Sequence, residues 1–159
     1  MCGIVGFVPG LPKNDSRRIL EGMLGMIRHR GPDESGIYVS DRIGLGNVRL
    51  SIIGLEKGTM PLSNQDQTLW ISFNGEVYNY IELREGLRDR GYAFETDTDT
   101  EVVLCLYEEY GPSFIEKLNG QFAIAIWDKK TDQLFLGRDR VGIRPLFYTS
   151  INDRFVFSS

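Results

Sequence analysis

Gly3 to Val8 carries β-branched and aromatic residues with no polar side chain among them, which predicts a strand. The period then changes. Ile19, Leu20, Met23, Leu24 and Ile27 fall on one helical face, so a helix is expected to about Met26, capped by Asp15 or Ser16. Gly31-Pro32-Asp33 reads as a turn. Ile37-Tyr38-Val39 and the run from Ile43 to Ile53 predict paired strands around Ser40-Asp41. Leu69 to Phe73 predicts a strand ending at Asn74-Gly75, a pair that tolerates positive φ in a hairpin turn. Glu82 to Asp89 reads as an amphipathic helix stopped at Gly91. Glu101 to Tyr110 reads as another, capped by Asp99 or Thr100 and stopped at Gly111-Pro112, with a short helix from Pro112 to Leu118. Two hairpins follow, Gln121 to Asp128 with Gln133 to Gly137, and Leu146 to Ser150 with Arg154 to Ser158.

Strands cluster at both ends of the chain and helices lie between them. Local hairpins imply antiparallel pairing, so the fold class is α+β, with sheets covered by helices. Ala123, Ile124, Ala125 and Ile126 are apolar on both strand faces, which predicts a strand buried on both sides, as between a second sheet and helices. No linker or repeat divides residues 1–159, which read as one domain. Phe155-Val-Phe-Ser-Ser159 still has strand character, so a longer parent chain is expected.

Composition narrows the function. A net charge of −4 with no Lys/Arg block argues against nucleic acid as a partner. The longest apolar run, Phe122 to Trp127, is too short for a membrane span, and the N-terminus lacks a basic n-region. A cytoplasmic protein with two free thiols is expected. With one histidine, His29, held between two arginines, a zinc site or a Cys-His pair is disfavoured, and no metal is expected.

The chemistry concentrates at Cys2. Once Met1 is removed, this residue carries both a thiol and a free α-amine, with ordinary pKa values of about 8.5 and 7.7–8.0. A proton can pass between two such groups at little cost. A nucleophile here would use its own amine or a carboxylate as base. The alternative is that any residue can stand second, so the rest of the chain has to decide.

Seven segments do so in order: Met1-Cys-Gly-Ile-Val-Gly6, Arg28-His-Arg-Gly-Pro-Asp33, Arg49-Leu-Ser-Ile52, Phe73-Asn-Gly-Glu-Val-Tyr-Asn79, Thr98-Asp-Thr-Glu101, Gly120-Gln-Phe-Ala123 and Gly137-Arg-Asp-Arg-Val-Gly-Ile-Arg-Pro145. Over essentially the whole chain this resembles class II glutamine amidotransferase domains, and more closely the N-terminal glutaminase domain of glutamine-dependent asparagine synthetases. The resemblance implies a four-layer αββα sandwich of the N-terminal-nucleophile hydrolase type. It also implies hydrolysis of L-glutamine to glutamate and ammonia, the ammonia passing to a C-terminal synthetase domain of the parent chain. ATP and magnesium would belong to that domain and no cofactor to this one, because the Ser-Gly-Gly-x-Asp-Ser loop is absent here. A homodimer is left open.

The resemblance makes Cys2 the nucleophile, and Asn74 and Gly75 the donors of an oxyanion hole. Glycine at 75 would also let substrate approach the backbone. Arg49 would take the substrate carboxylate as a bidentate fork. Asp99, with Glu76, would take its ammonium, and Leu50, Ser51, Ile52 and Ile53 would line the pocket. Each residue has a plainer reading. Asn74-Gly75 could be only a turn, Arg49 only a paired sheet-edge charge, and Asp99 only a helix cap. Asn47 stands where the family usually has histidine, and Asp97 where it commonly has glycine. Cys105 and the Tyr107–Tyr110 region read as core. Arg28 to Asp33 and Arg138 to Pro145 read as loops buttressed by ion pairs.

Two other functions compete: an amidase for a different acyl amide, and a catalytically silent binding or assembly module. The zwitterion pair Arg49 and Asp99 counts against the first, and the intact Cys2, Asn74 and Gly75 against the second. Glucosamine-6-phosphate synthase and amidophosphoribosyltransferase domains are less similar, since they carry Trp or Tyr where this chain has Leu50-Ser51.

Overall fold

The computed structural model describes residues 2–9, 11–50 and 60–159. The elements run β1 (Gly3–Val8), α1 (Lys13–Ile27), β2 (Glu34–Val39), β3 (Gly44–Arg49), β4 (Leu62–Ser63), β5 (Leu69–Val77), α2 (Tyr80–Arg88), α3 (Asp99–Tyr110), β6 (Gly120–Asp128), β7 (Gln133–Arg138), β8 (Phe147–Ile151) and β9 (Arg154–Ser158), with 3-10 segments at Arg28–Arg30 and Gly111–Lys117. Two sheets form, ordered β2-β3-β1-β9-β8 and β4-β5-β6-β7. Every strand pair within them is antiparallel.

Strand alternation sorts the apolar residues into three layers of core. Val5, Phe7 and Val48 face α1, where they meet Leu20 and Leu24. Ile4, Leu45 and Phe157 face the other way, against Ala123, Ala125 and Trp127 of the second sheet. Phe73, Ile124 and Ile126 face α3, whose Val102, Val103, Leu104 and Leu106 are all buried. The order is therefore helix, sheet, sheet, helix, the expected αββα sandwich. β6 is buried on both faces, as its sequence implies, and its alanines lie on the side where the two sheets meet.

Three local expectations change. α1 begins at Lys13 with Pro12 as its N-cap, and no side chain caps it. Ser16 is instead buried, and its hydroxyl bonds both the N–H and the carbonyl of Leu11, 3.0 Å each, tying down the chain as it enters the helix. β5 does not stop at Asn74-Gly75. It runs on to Val77, because its partner β6 is equally long and pairs Gly75 with Phe122 and Val77 with Gly120. The strand expected from Ile43 to Ile53 ends at Arg49, and residues 51–53 lie outside the described part. Among the described residues no helix is long and apolar enough to cross a membrane.

Candidate active site

Cys2 sits just ahead of β1, the central strand of the first sheet, and is partly exposed. Its thiol donates to the Leu50 carbonyl at 3.7 Å, so Leu50 touches it through backbone. Its own carbonyl accepts from Arg30 Nε at 3.2 Å. The sequence places Arg30 in a loop buttressed by ion pairs. It instead holds the backbone of the candidate nucleophile, a contact that joins residues 28 positions apart. His29 is exposed, as its position between two arginines suggests.

Asn74 and Gly75 lie in the second sheet. The turn reading is excluded by β5 running through both. Asn74 is buried on the face turned to the first sheet, and its Nδ2 donates to Ser159 Oγ at 3.2 Å. The direction of the Gly75 N–H follows from strand geometry. The carbonyl of Phe122, its partner, accepts from Asp139 N on the β7 side, so Gly75 and Phe122 exchange no hydrogen bonds. Gly75 N–H therefore points away from β6, along the edge where the Phe73 carbonyl meets Asn47 and Val77 N–H meets Asp99. The glycine itself has a structural cause that the sequence did not show. A Cβ here would drive into the Gln121 carbonyl and the Phe122 backbone, so close packing of β6 requires it, irrespective of any substrate.

Asn47 joins the two sheets. Its Nδ2 donates to Gly3 O at 2.9 Å and Phe73 O at 3.3 Å, and the residue is 1% exposed. A neutral imidazole has one N–H and could satisfy only one of these carbonyls; the amide satisfies both. Here asparagine is a tie between the strand that follows Cys2 and the strand that carries Asn74.

Arg49 ends β3 on the same face as Asn47, since Val48 turns to α1. β3 lies between β2 and β1, so Arg49 is not at a sheet edge. It is nonetheless paired: its Nη1 lies 3.3 Å from Glu34 Oε2 on β2, directly opposite in register. Glu34, which the sequence did not single out, orients this buried guanidinium. Glycine at 31 is needed because any Cβ there would strike the Arg49 backbone.

Asp99 is the first residue of α3, and Thr98 is the N-cap, its hydroxyl accepting from Glu101 N at 3.3 Å. The capping role expected of Asp99 or Thr100 thus belongs to their neighbour. This releases the Asp99 carboxylate to accept Val77 N–H at 2.9 Å, on the side of β5 turned away from β6. Burial holds the Asp99 carboxyl above its ordinary pKa of 3.8, the nearby Glu76 charge adds to this, and N–H donors from Val77 and Thr100 offset part of it. Glu76 itself is exposed. Asp97 is distinct in role: it meets Arg84 at 3.3 Å, well out in solvent. Arg84, also not foreseen, is buried, stacks 4.6 Å from the Phe94 ring centroid and bonds the Thr96 carbonyl, fixing the loop ahead of Thr98.

The second Arg-rich loop is held by a carboxylate. Asp139 is buried and accepts from the N–H groups of Phe122, Ile143 and Arg144. Burial raises its pKa, but these backbone donors outweigh that and hold it below the usual range. Cys105 is a core thiol, pushed up to about 12 by burial and by the Glu101 and Glu108 charges. Tyr107 packs against Phe114 and Phe135. Among the described residues no three His, Cys, Asp or Glu side chains converge on a metal-sized point. Ser51, Ile52 and Ile53, expected to line the pocket, lie outside the described residues.

Hydrogen bonds and strand pairing thus link the strand beside Cys2 and Arg49 in the first sheet to Asn74 in the second, and Asp99 to the same strand as Asn74 and Gly75 through Val77 N–H. Comparison with known proteins gives this grouping a context. All of residues 1–159 match the family model described as "Glutamine amidotransferase domain". The chain is 49% identical over 162 residues to asparagine synthetase [glutamine-hydrolyzing] 1 of Bacillus subtilis, covering 100% of this chain and 26% of the relative. It is 48% identical over 150 residues to asparagine synthetase B [glutamine-hydrolyzing] of Escherichia coli, covering 92% of this chain and 26% of that one. The chain thus spans about a quarter of the length of these curated relatives. Among solved structures, glutamine phosphoribosylpyrophosphate amidotransferase from B. subtilis superposes with a TM-score of 0.79 at 22% identity, over 99% of this chain and 41% of that one, a likeness of fold.

Proposed function

The chain belongs to the glutamine amidotransferase domain family, and on that premise we propose that Cys2 opens the side-chain amide of L-glutamine, with each candidate residue in a separate role. The Cys2 sulfur attacks the amide carbon. The thiol proton passes to the α-amine and from there to the departing ammonia, leaving a glutamyl thioester. Water, activated by the same amine, then releases glutamate and restores the thiol. As the tetrahedral oxyanion forms, Asn74 Nδ2 and Gly75 N–H donate to it. Arg49 takes the substrate α-carboxylate, with Glu34 fixing the guanidinium, and Asp99 takes the α-ammonium. A carboxylate whose pKa is raised by burial gains most from a cation placed beside it.

The observation that carries this reading is the double tie between the strand that follows Cys2 and the strand of Asn74. Asn47 bonds Gly3 O and Phe73 O, and Ser159 bonds Ile4 N and Asn74 Nδ2. A nucleophile and oxyanion donors must be held in fixed relation to act together. The close similarity to glutamine-hydrolysing asparagine synthetases supports ammonia delivery to a synthetase portion of a longer chain.

Substitution tests this reading. Cys2→Ala should abolish glutamate release while leaving the melting temperature within a few degrees of wild type. A glutamine-mimicking electrophile should label Cys2 and spare the buried Cys105. Equal labelling of both thiols, or an active Cys2→Ala protein, would refute the assignment.

A further inference from the structure

Ser159 lies between the two sheets with 5% of its surface exposed. Its N–H donates to Ile4 O at 2.9 Å, continuing the β1–β9 ladder. The return bond is unusual: Ile4 N–H goes to the Ser159 side-chain oxygen, 3.0 Å away. The same oxygen accepts Asn74 Nδ2 from the opposite sheet at 3.2 Å. A hydroxyl oxygen has two lone pairs, and here both are engaged.

The two donors belong to the two halves of the proposed chemistry. Ile4 lies on β1, the strand that follows Cys2, two residues beyond it. Asn74 carries the side-chain donor for the oxyanion. A carboxamide turns broadly about its last torsion unless something holds it. The bond to Ser159 uses one hydrogen of the Asn74 NH₂ group, and the planarity of the amide then fixes the direction of the other. If the serine served only to finish the sheet ladder, the Ile4 bond would suffice.

We propose that Ser159 is a positioning residue for catalysis, orienting the Asn74 amide against the strand that follows Cys2. The proposal rests on the reading of Asn74 as an oxyanion donor. Asn74→Ala sets the upper limit, about 10²–10³ in kcat for loss of such a donor. Misorientation by an ångström costs up to about 10²-fold. Ser159→Ala should therefore lower kcat for glutamine hydrolysis by about 10- to 100-fold. KM should stay within about twofold, because the substrate zwitterion is held by other residues.

The experiment is a double-mutant cycle on the full-length protein, with rates normalised to folded protein. Ser159→Ala should cost about twofold or less in kcat when Asn74 is already alanine. Should Ser159→Ala not fold, Ser159→Cys, similar in shape and a weaker acceptor, should produce the same kcat loss at unchanged KM. The proposal is overturned if Asn74→Ala loses activity while the Ser159 variants keep wild-type kcat, or if the two losses multiply. If Cys2→Ala and Asn74→Ala both hydrolyse glutamine normally, the underlying glutaminase reading has failed, and the role of Ser159 falls with it.

Discussion

The sequence leaves Asp99 open between substrate ligand and helix cap, and the structure gives the cap to Thr98, one position earlier. Thr98 caps α3, so the Asp99 carboxylate is free to accept Val77 N–H. Its pKa is raised by burial, so the folded state holds this proton more tightly than the unfolded chain does. The contribution of Asp99 to stability therefore falls as pH rises from 3.8 through the folded value, and at neutral pH the ionised group costs stability. Binding an ammonium requires the ionised form. The kcat/KM for glutamine should thus decline on the acid side at a higher pH than an exposed aspartate would give. Asp99→Asn should raise KM, remove that acid limb and leave thermal stability equal or higher. An unchanged acid limb in Asp99→Asn would assign it to another group. Cys2, Arg49 and Asp99 are legible as candidates in the sequence, because each residue type suits the chemistry proposed for it. Arg30, Glu34 and Ser159 are not, because their importance lies in contacts with residues far away in sequence.

Elements were legible wherever periodicity and breakers agreed, as in α3 and the β6–β7 hairpin. They were misjudged where a tertiary partner overrode a local signal. Asn74-Gly75 has turn chemistry, yet β6 draws both residues into a nine-residue strand. That continuation turns Gly75 N–H away from β6. The start of α3 is the element that holds Asp99, the ammonium ligand we propose. Thr98 caps it, Thr96 and Thr98 hydroxyls meet at 2.8 Å, and Glu101 reaches back to the N–H groups of Glu95 and Thr96. Thr98→Ala should cost about 0.5–2 kcal/mol, typical for a lost cap. For a domain of this size that is a fall in Tm of roughly 1–8 °C. Because Asp99 begins the helix, KM for glutamine should rise several-fold while kcat changes little. A lower Tm with unchanged KM would mean that the cap does not position the carboxylate.

At the scale of the molecule, the sandwich explains how residues spread from Cys2 to Asp99 are linked. The central strand of one sheet and β5 of the other are tied across a shared interior. That interior is packed by Ala123, Ala125, Trp127 and Phe157. The α+β class and the doubly buried β6 followed from hydrophobic pattern. The polar ties of Asn47 and Ser159 between sheets did not, since an isolated polar residue in a strand gives no sign of which sheet it will reach. The central claim is that Cys2 acts with its own α-amine as base. A Met1–Cys2 peptide bond would turn that amine into an amide without a basic lone pair while leaving the thiol in place. The direct measurement is glutamate release from glutamine by preparations whose N-terminus has been assigned by intact mass. The rate should rise in proportion to the fraction of molecules that begin at Cys2, and fall to nearly nothing when Met1 is fully retained. Wild-type hydrolysis by uniformly Met1-retained protein would contradict the account.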